Sequence, residues 1–115
     1  MNSIDQLLLT VRQSPESVAF ADVIALIDKA YEFTPCAFNN GSVANDIGKN
    51  EGSCKILAFA KLQQLDESQT LVLFGDFYRQ DVLEHPDGDD HANIRQFMQT
   101  GWAGVTFEGV ALKQR

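Results

Sequence analysis

Asp66-Glu67-Ser68-Gln69-Thr70-Leu71-Val72-Leu73-Phe74-Gly75-Asp76-Phe77-Tyr78-Arg79-Gln80-Asp81-Val82-Leu83-Glu84 carries two signals at once. Asp66 and Gln69 have the spacing of a capping box, in which each side chain satisfies the other residue's amide. Behind them Leu71, Phe74, Gly75, Tyr78 and Val82 recur at intervals of three and four, which predicts a long amphipathic helix ending before His85-Pro86. A glycine on that stripe marks a close approach or a kink. The second signal is charge. Residues 66–90 hold eight acids against one base, Arg79, a balance that equals the net charge of −7 of the whole chain. The remaining residues are electrically even.

Toward the N-terminus the same periodicity repeats. Ser3 and Gln6 form another capping-box pair ahead of Ile4, Leu7, Leu8 and Val11, which predicts a first helix. After Ser14-Pro15, the stripe Phe20, Val23, Ile24, Ile27 and Tyr31 predicts a second, with Asp22 near the start where the helix dipole favours an acid. Between Tyr31 and Asp46 the pattern breaks at Pro35, and Asn39-Asn40-Gly41-Ser42 is turn chemistry, so a loop or short hairpin is expected. The glycine-containing loop 48–52 then leads to Ser53, the expected N-cap of a third helix running to Leu62.

On the other side, Asp87-Gly88-Asp89-Asp90 predicts a turn with Asp90 capping a fifth helix, which the spacing of Ile94, Phe97 and Met98 places up to Gly101. Trp102 to Gly109 alternates apolar and polar residues between glycines and suits a short strand, paired with part of residues 31–46. The expected fold class is therefore α+β, mainly helical with about five helices and one small β element. An all-α arrangement is the alternative.

With 115 residues, 44% apolar and 22% charged, the chain is expected to form one domain spanning 1–115 with its own core. The apolar run Ile56-Leu57-Ala58-Phe59-Ala60 is far shorter than the ~20 residues needed to cross a bilayer. The first twelve residues lack the basic start and long apolar stretch of a conventional export signal. Cys36 and Cys54 are too few for a disulfide scaffold and read as free thiols in a reducing compartment such as the cytoplasm. An acidic chain with scattered lysines and arginines repels phosphate backbones, which excludes nucleic acid as a partner. No cofactor motif is present.

Five segments carry a resemblance to one known family. Phe33 to Gly41, Gly52-Ser53-Cys54-Lys55-Ile56, Phe74 to Arg79, His85-Pro86-Asp87-Gly88 and Gly101-Trp102-Ala103-Gly104 resemble the HopJ type III effector pattern in the same order, over roughly residues 3 to 112. The resemblance implies a bacterial protein delivered into a host cell by a type III secretion system. It implies no reaction and supplies no catalytic residues. A protein partner, of the host or of the bacterium, is the expectation that follows.

Three groups of residues are candidates for chemistry or binding. Cys54, at the expected first turn of the third helix beside Lys55, stands where amide groups and a cation stabilise a thiolate. A cysteine enzyme would also need His91 or His85 as base and Asn40, Asn45 or Asp46 as orienting group. The plainer reading is a small cysteine packed against the core. His85, Asp87, Asp89, Asp90 and His91 crowd metal-ligand donors into seven residues without matching a closed site, and turn and cap roles account for most of them. Asn40, Gly41, Arg79 and Trp102, in or beside glycine-framed segments, carry groups that line clefts and interfaces. For Trp102 a core anchor is the plainer role.

Overall fold

A computed structural model describes residues 3–115. The first helix, α1 (Ile4–Gln13), starts as its sequence dictates: the Ser3 hydroxyl accepts from the Gln6 amide at 3.1 Å, and Leu7 and Val11 enter the core. A 3₁₀ turn at Pro15–Ser17 leads to α2 (Phe20–Ala30), which buries Val23, Leu26 and Ile27. The chain leaves α2 directly into a strand, β1 (Tyr31–Phe33), so Tyr31 ends the helical stripe from a sheet position.

At the centre lies α3 (Glu51–Leu62), whose residues Ile56, Leu57, Ala58, Phe59 and Ala60 are all buried. A helix apolar on every side must be wrapped by the rest of the fold. It begins two residues before the expected Ser53 cap. Asn50 enters the left-handed region at φ 52°, unlike the extended backbone of a capping residue, and turns the chain into the helix without a side-chain cap, while its Nδ2 donates to Asn45 Oδ1 at 2.7 Å.

The long helix expected over 66–84 is divided. Its capping box forms in both directions, Gln69 N to Asp66 Oδ1 at 2.8 Å and Asp66 N to Gln69 Oε1 at 3.1 Å, opening α4 (Glu67–Val72). Gly75 then takes φ +63°, and the chain resumes as a π-helix at Phe77–Val82. The cause is contact: a Cβ on Gly75 would lie 2.8 Å from the Phe20 amide nitrogen and 3.3 Å from the Val18 carbonyl oxygen. The last helix, α5 (Ala92–Thr100), buries Asn93, Ile94 and Phe97 but leaves Met98 44% exposed. Asp90 does not cap it. His91 does so at φ 51°, without a side-chain cap.

The β element joins the segment after α2 to the C-terminal segment. β2 (Phe38–Asn40) pairs with β3 (Val43–Asn45) as a hairpin around Gly41-Ser42, with Gly41 at φ +58°. β4 (Val105–Phe107) lies on the other side of β2, and β5 (Leu112–Gln114) pairs with β1, all antiparallel. Both ladders keep one register, from Tyr31↔Gln114 to Asn40↔Val105. The gap around Pro35 is bridged by Thr34 N to Ala111 O at 2.8 Å and Glu108 N to Ala37 O at 3.0 Å. Residues 31–40 and 105–114 thus form one interrupted ribbon. The expected strand from Trp102 starts three residues later, because Gly101–Gly104 forms a 3₁₀ turn. The fold is α+β and mainly helical, with five α-helices and one π-helix among the described residues.

Replacing Gly75 by alanine adds both left-handed strain and a backbone collision, and should destabilise the protein by about 3 kcal/mol in urea denaturation. Gly48→Ala is the control, since Gly48 also has a positive φ, +83°, but nothing lies within 4 Å of its added Cβ. It should cost only about 1 kcal/mol.

Candidate functional site

Two helices begin on the walls of one cavity. The first-turn residues Gly52 and Ser53 of α3 and Ala92, Asn93 and Ile94 of α5 line it, together with the two left-handed residues Asn50 and His91 that start those helices. Phe20, Phe74 and Phe77 complete the wall, and the volume is about 320 Å³. Phe20 lies edge-on to Phe77 at 5.0 Å, while the His91 ring tilts over Phe77 at 5.0 Å. The cavity therefore has an apolar aromatic side and a side made of carboxamide, hydroxyl and imidazole groups, the mixture found in ligand clefts.

A buried carboxamide network fixes the polar side. Asn93 Nδ2 donates to Asn45 Oδ1 at 2.9 Å, and Asn93 Oδ1 accepts from Asn45 Nδ2 and Asn40 Nδ2, each at 3.1 Å. Asn40 Nδ2 also reaches the Asn93 carbonyl at 2.8 Å. Asn40, expected as a binding residue, is completely buried and holds the hairpin to α5. Gly41 beside it makes the hairpin turn and donates to the Gly104 carbonyl at 2.8 Å. Asn93 and Asn50 were not among the sequence candidates, although Asn93 shares a helix face with Phe97 and is a polar residue on an apolar stripe.

The histidine and acid cluster takes a different form from the one expected. Among the described residues, the group that brings three ligand-type atoms together is Asp81, Asp90 and His91, all within 4.8 Å of one another. His91 Nε2 lies 3.0 Å from Asp81 Oδ2 and 3.8 Å from Asp90 Oδ2. Asp81, outside the 85–91 stretch, arrives from the π-helix. His85, Asp87 and Asp89 stand exposed outside this group. Arg95 organises the loop: its guanidinium donates to the carbonyls of Asp90 at 2.6 Å, His85 at 2.8 Å and Asp81 at 3.3 Å, and to the Asp90 carboxylate. That last hydrogen bond holds the Asp90 carboxyl below the usual range.

Cys54 lies in the core at 2% exposure and is absent from the cavity lining that includes His91. Because α3 starts at Glu51, Cys54 sits at its fourth residue, facing inward. Burial, followed by the neighbouring Cys36 thiol, pushes its pKa from 9.0 up to about 12, opposite to the depression that a helix start predicts. Lys55 is engaged elsewhere, 2.9 Å from Asp28 and over the Phe33 ring. The two other expected orienting residues divide, Asn45 within the carboxamide network and Asp46 exposed.

Arg79 and Trp102 are also structural anchors. Arg79 donates to the carbonyls of Pro15 and Val18 at 3.1 and 2.8 Å and pairs with Asp76 at 3.0 Å. The Trp102 indole N–H donates to the Leu65 carbonyl at 2.8 Å, and its ring meets Phe97 edge-on at 5.1 Å. A groove of about 250 Å³ lies between the π-helix and α5, with Leu83 and Met98 in its wall and Pro86 and Gly88 of the acidic loop beside them.

A family model described as HopJ type III effector protein matches residues 4–112. The crystal structure of VPA0580, described as a protein of unknown function, is similar over 100% of this chain and 97% of that one, at 49% identity and a TM-score of 0.96. No curated protein matches. Among the described residues no helix is long and apolar enough to cross a membrane.

Two measurements check these assignments. Asn93→Ala removes the shared partner of Asn40 and Asn45, and should cost about 2 kcal/mol in denaturant unfolding while speeding amide exchange in the β2–β3 hairpin. For Cys54, the native thiol should alkylate more slowly than that of half-buried Cys36, and equally fast once unfolded. The same burial gives a pH signature. As pH rises above 9.0 toward about 12, the unfolded chain ionises Cys54 and the folded chain does not, so stability falls. Cys54→Ala should flatten that decline.

Proposed function

The chain belongs to the HopJ type III effector family, and from that premise we propose that it acts by binding a partner protein through the acidic face built on residues 66–90. The observation that carries this reading is the placement of charge. A balance of −7, the net charge of the whole chain, falls on one segment. The single base within it, Arg79, is turned inward onto the Pro15 and Val18 carbonyls. Glu84, Asp87 and Asp89 stand exposed. A field of one sign on a fastened surface steers an oppositely charged partner and raises its association rate.

Cysteine chemistry gains no comparable support, since a nucleophile needs an accessible thiolate and Cys54 is buried and protonated. Delivery into a host cell by a type III apparatus follows the family's description and puts a host protein among the candidate partners.

Affinity purification with the tagged chain from bacterial and host-cell lysates tests the reading. Glu84→Lys/Asp87→Lys/Asp89→Lys should lose the captured protein, and Cys54→Ser should keep it. A captured set unchanged by the charge reversal, or abolished by Cys54→Ser, would overturn partner binding through this face. A tagged chain that never leaves a bacterium with a working type III apparatus would restrict the partner to the bacterium.

A further inference from the structure

The groove between the π-helix and α5 is walled by Val82, Leu83, Pro86, Arg95, Met98 and Gln99, with Gly88 at its end. Leu83 is 47% exposed and Met98 44%, although their chain neighbours Val82 and Phe97 are buried at 2% and 0%. A single exposed apolar side chain is ordinary on any surface. Two of them in the wall of one concavity give it a small apolar lining. Methionine adds an adaptable surface of the kind that accepts apolar helix faces.

Size and charge narrow what this groove can take. At about 250 Å³ the groove is smaller than the ~300–1,000 Å³ of a typical small-molecule pocket, so it suits side chains inserted from a larger partner. Glu84, Asp87 and Asp89, adjacent in sequence to the groove residues Leu83, Pro86 and Gly88, are all exposed. Arg95 is the one cation in the wall, and its donors are occupied by the carbonyls of His85, Asp90 and Asp81 and the Asp90 carboxylate. A second copy of this chain would bring another −7, and an anionic membrane or nucleic acid would be repelled likewise.

We propose that the groove receives the apolar stripe of a basic amphipathic helix in the partner protein, with its lysines and arginines lying against Glu84, Asp87 and Asp89. This rests on the partner-binding reading above and names the chemistry of the partner. Insertion of apolar anchors supplies the affinity, and the acidic rim selects the sign of charge.

The probe is a fluorescein-labelled peptide of about 16 residues, long enough to form a helix, with leucines at i, i+3, i+4 and i+7 and lysines on the other faces. Anisotropy titration of the whole protein should show saturable binding. Leu83→Ser/Met98→Gln should weaken it at least about tenfold, as should scrambling the leucine stripe at constant composition. Both substitutions lie at exposed side chains, and circular dichroism verifies that the fold persists. Replacing the peptide lysines by glutamates should abolish binding. Equal binding of striped and scrambled peptides, or no effect of the groove substitutions, would overturn the groove. So would a dimer in sedimentation that Leu83→Ser/Met98→Gln dissolves, since the occupant would then be a second copy. The partner-binding reading fails separately, when lysate capture survives the Glu84, Asp87 and Asp89 reversal.

Discussion

The structure depends on one buried carboxamide. Asn93, 5% exposed, is bonded to Asn40 and Asn45, and Asn45 in turn accepts from Asn50. Three parts of the chain meet there: the β2–β3 hairpin, the residue that starts α3 and the first turn of α5. Amide groups taken from water are costly unless they pair, so a network of this kind permits few relative placements of the elements that carry it. Once the hairpin and α5 are locked, the starts of α3 and α5 must both face the cavity between them. Asn50 joins the network through its Nδ2 while its left-handed backbone turns the corner into α3.

The same economy governs the cations. Arg79 and Arg95 each spread a guanidinium over backbone carbonyls, one fastening the π-helix to the Pro15–Val18 segment and the other fastening the acidic loop to α5. Planar, multidentate arginine is suited to such stapling, where lysine offers only a point charge. A consequence is electrostatic. Each guanidinium also pairs with one carboxylate, Asp76 or Asp90, while Glu84, Asp87 and Asp89 stand exposed with no ion pair among the described residues. The stability of the loop and the charge of its outer face thus come from one arrangement.

Cys54 illustrates how a local signal is reversed by context. A cysteine just after a glycine loop and beside a lysine has the sequence of an activated thiol, and its distance from the helix start is the quantity that decides. Starting α3 at Glu51 instead of after Ser53 carries Cys54 past the first turn and points it at the core. The metal-ligand candidates changed for a related reason. His91 and Asp90 meet Asp81 across the loop, whereas their chain neighbours Asp87 and Asp89 turn outward.

What the sequence determined by itself is local and periodic. The capping pairs at Ser3 and Asp66, the apolar stripes of α1, α2 and α5, the turn at Gly41 and the concentration of charge in residues 66–90 need only neighbouring residues to be read. Tertiary contact decided the rest. Gly75 divides a continuous helical stripe because Phe20 packs against its backbone. The ribbon of 31–40 with 105–114 and the cavity at Asn93 join residues more than fifty positions apart. Exposure too is set by packing, since Met98 obeys the helical period of Ile94 and Phe97 and yet lies in an open groove. Periodicity records which side of a helix is apolar, but whether anything covers that side is a property of the elements packed against it.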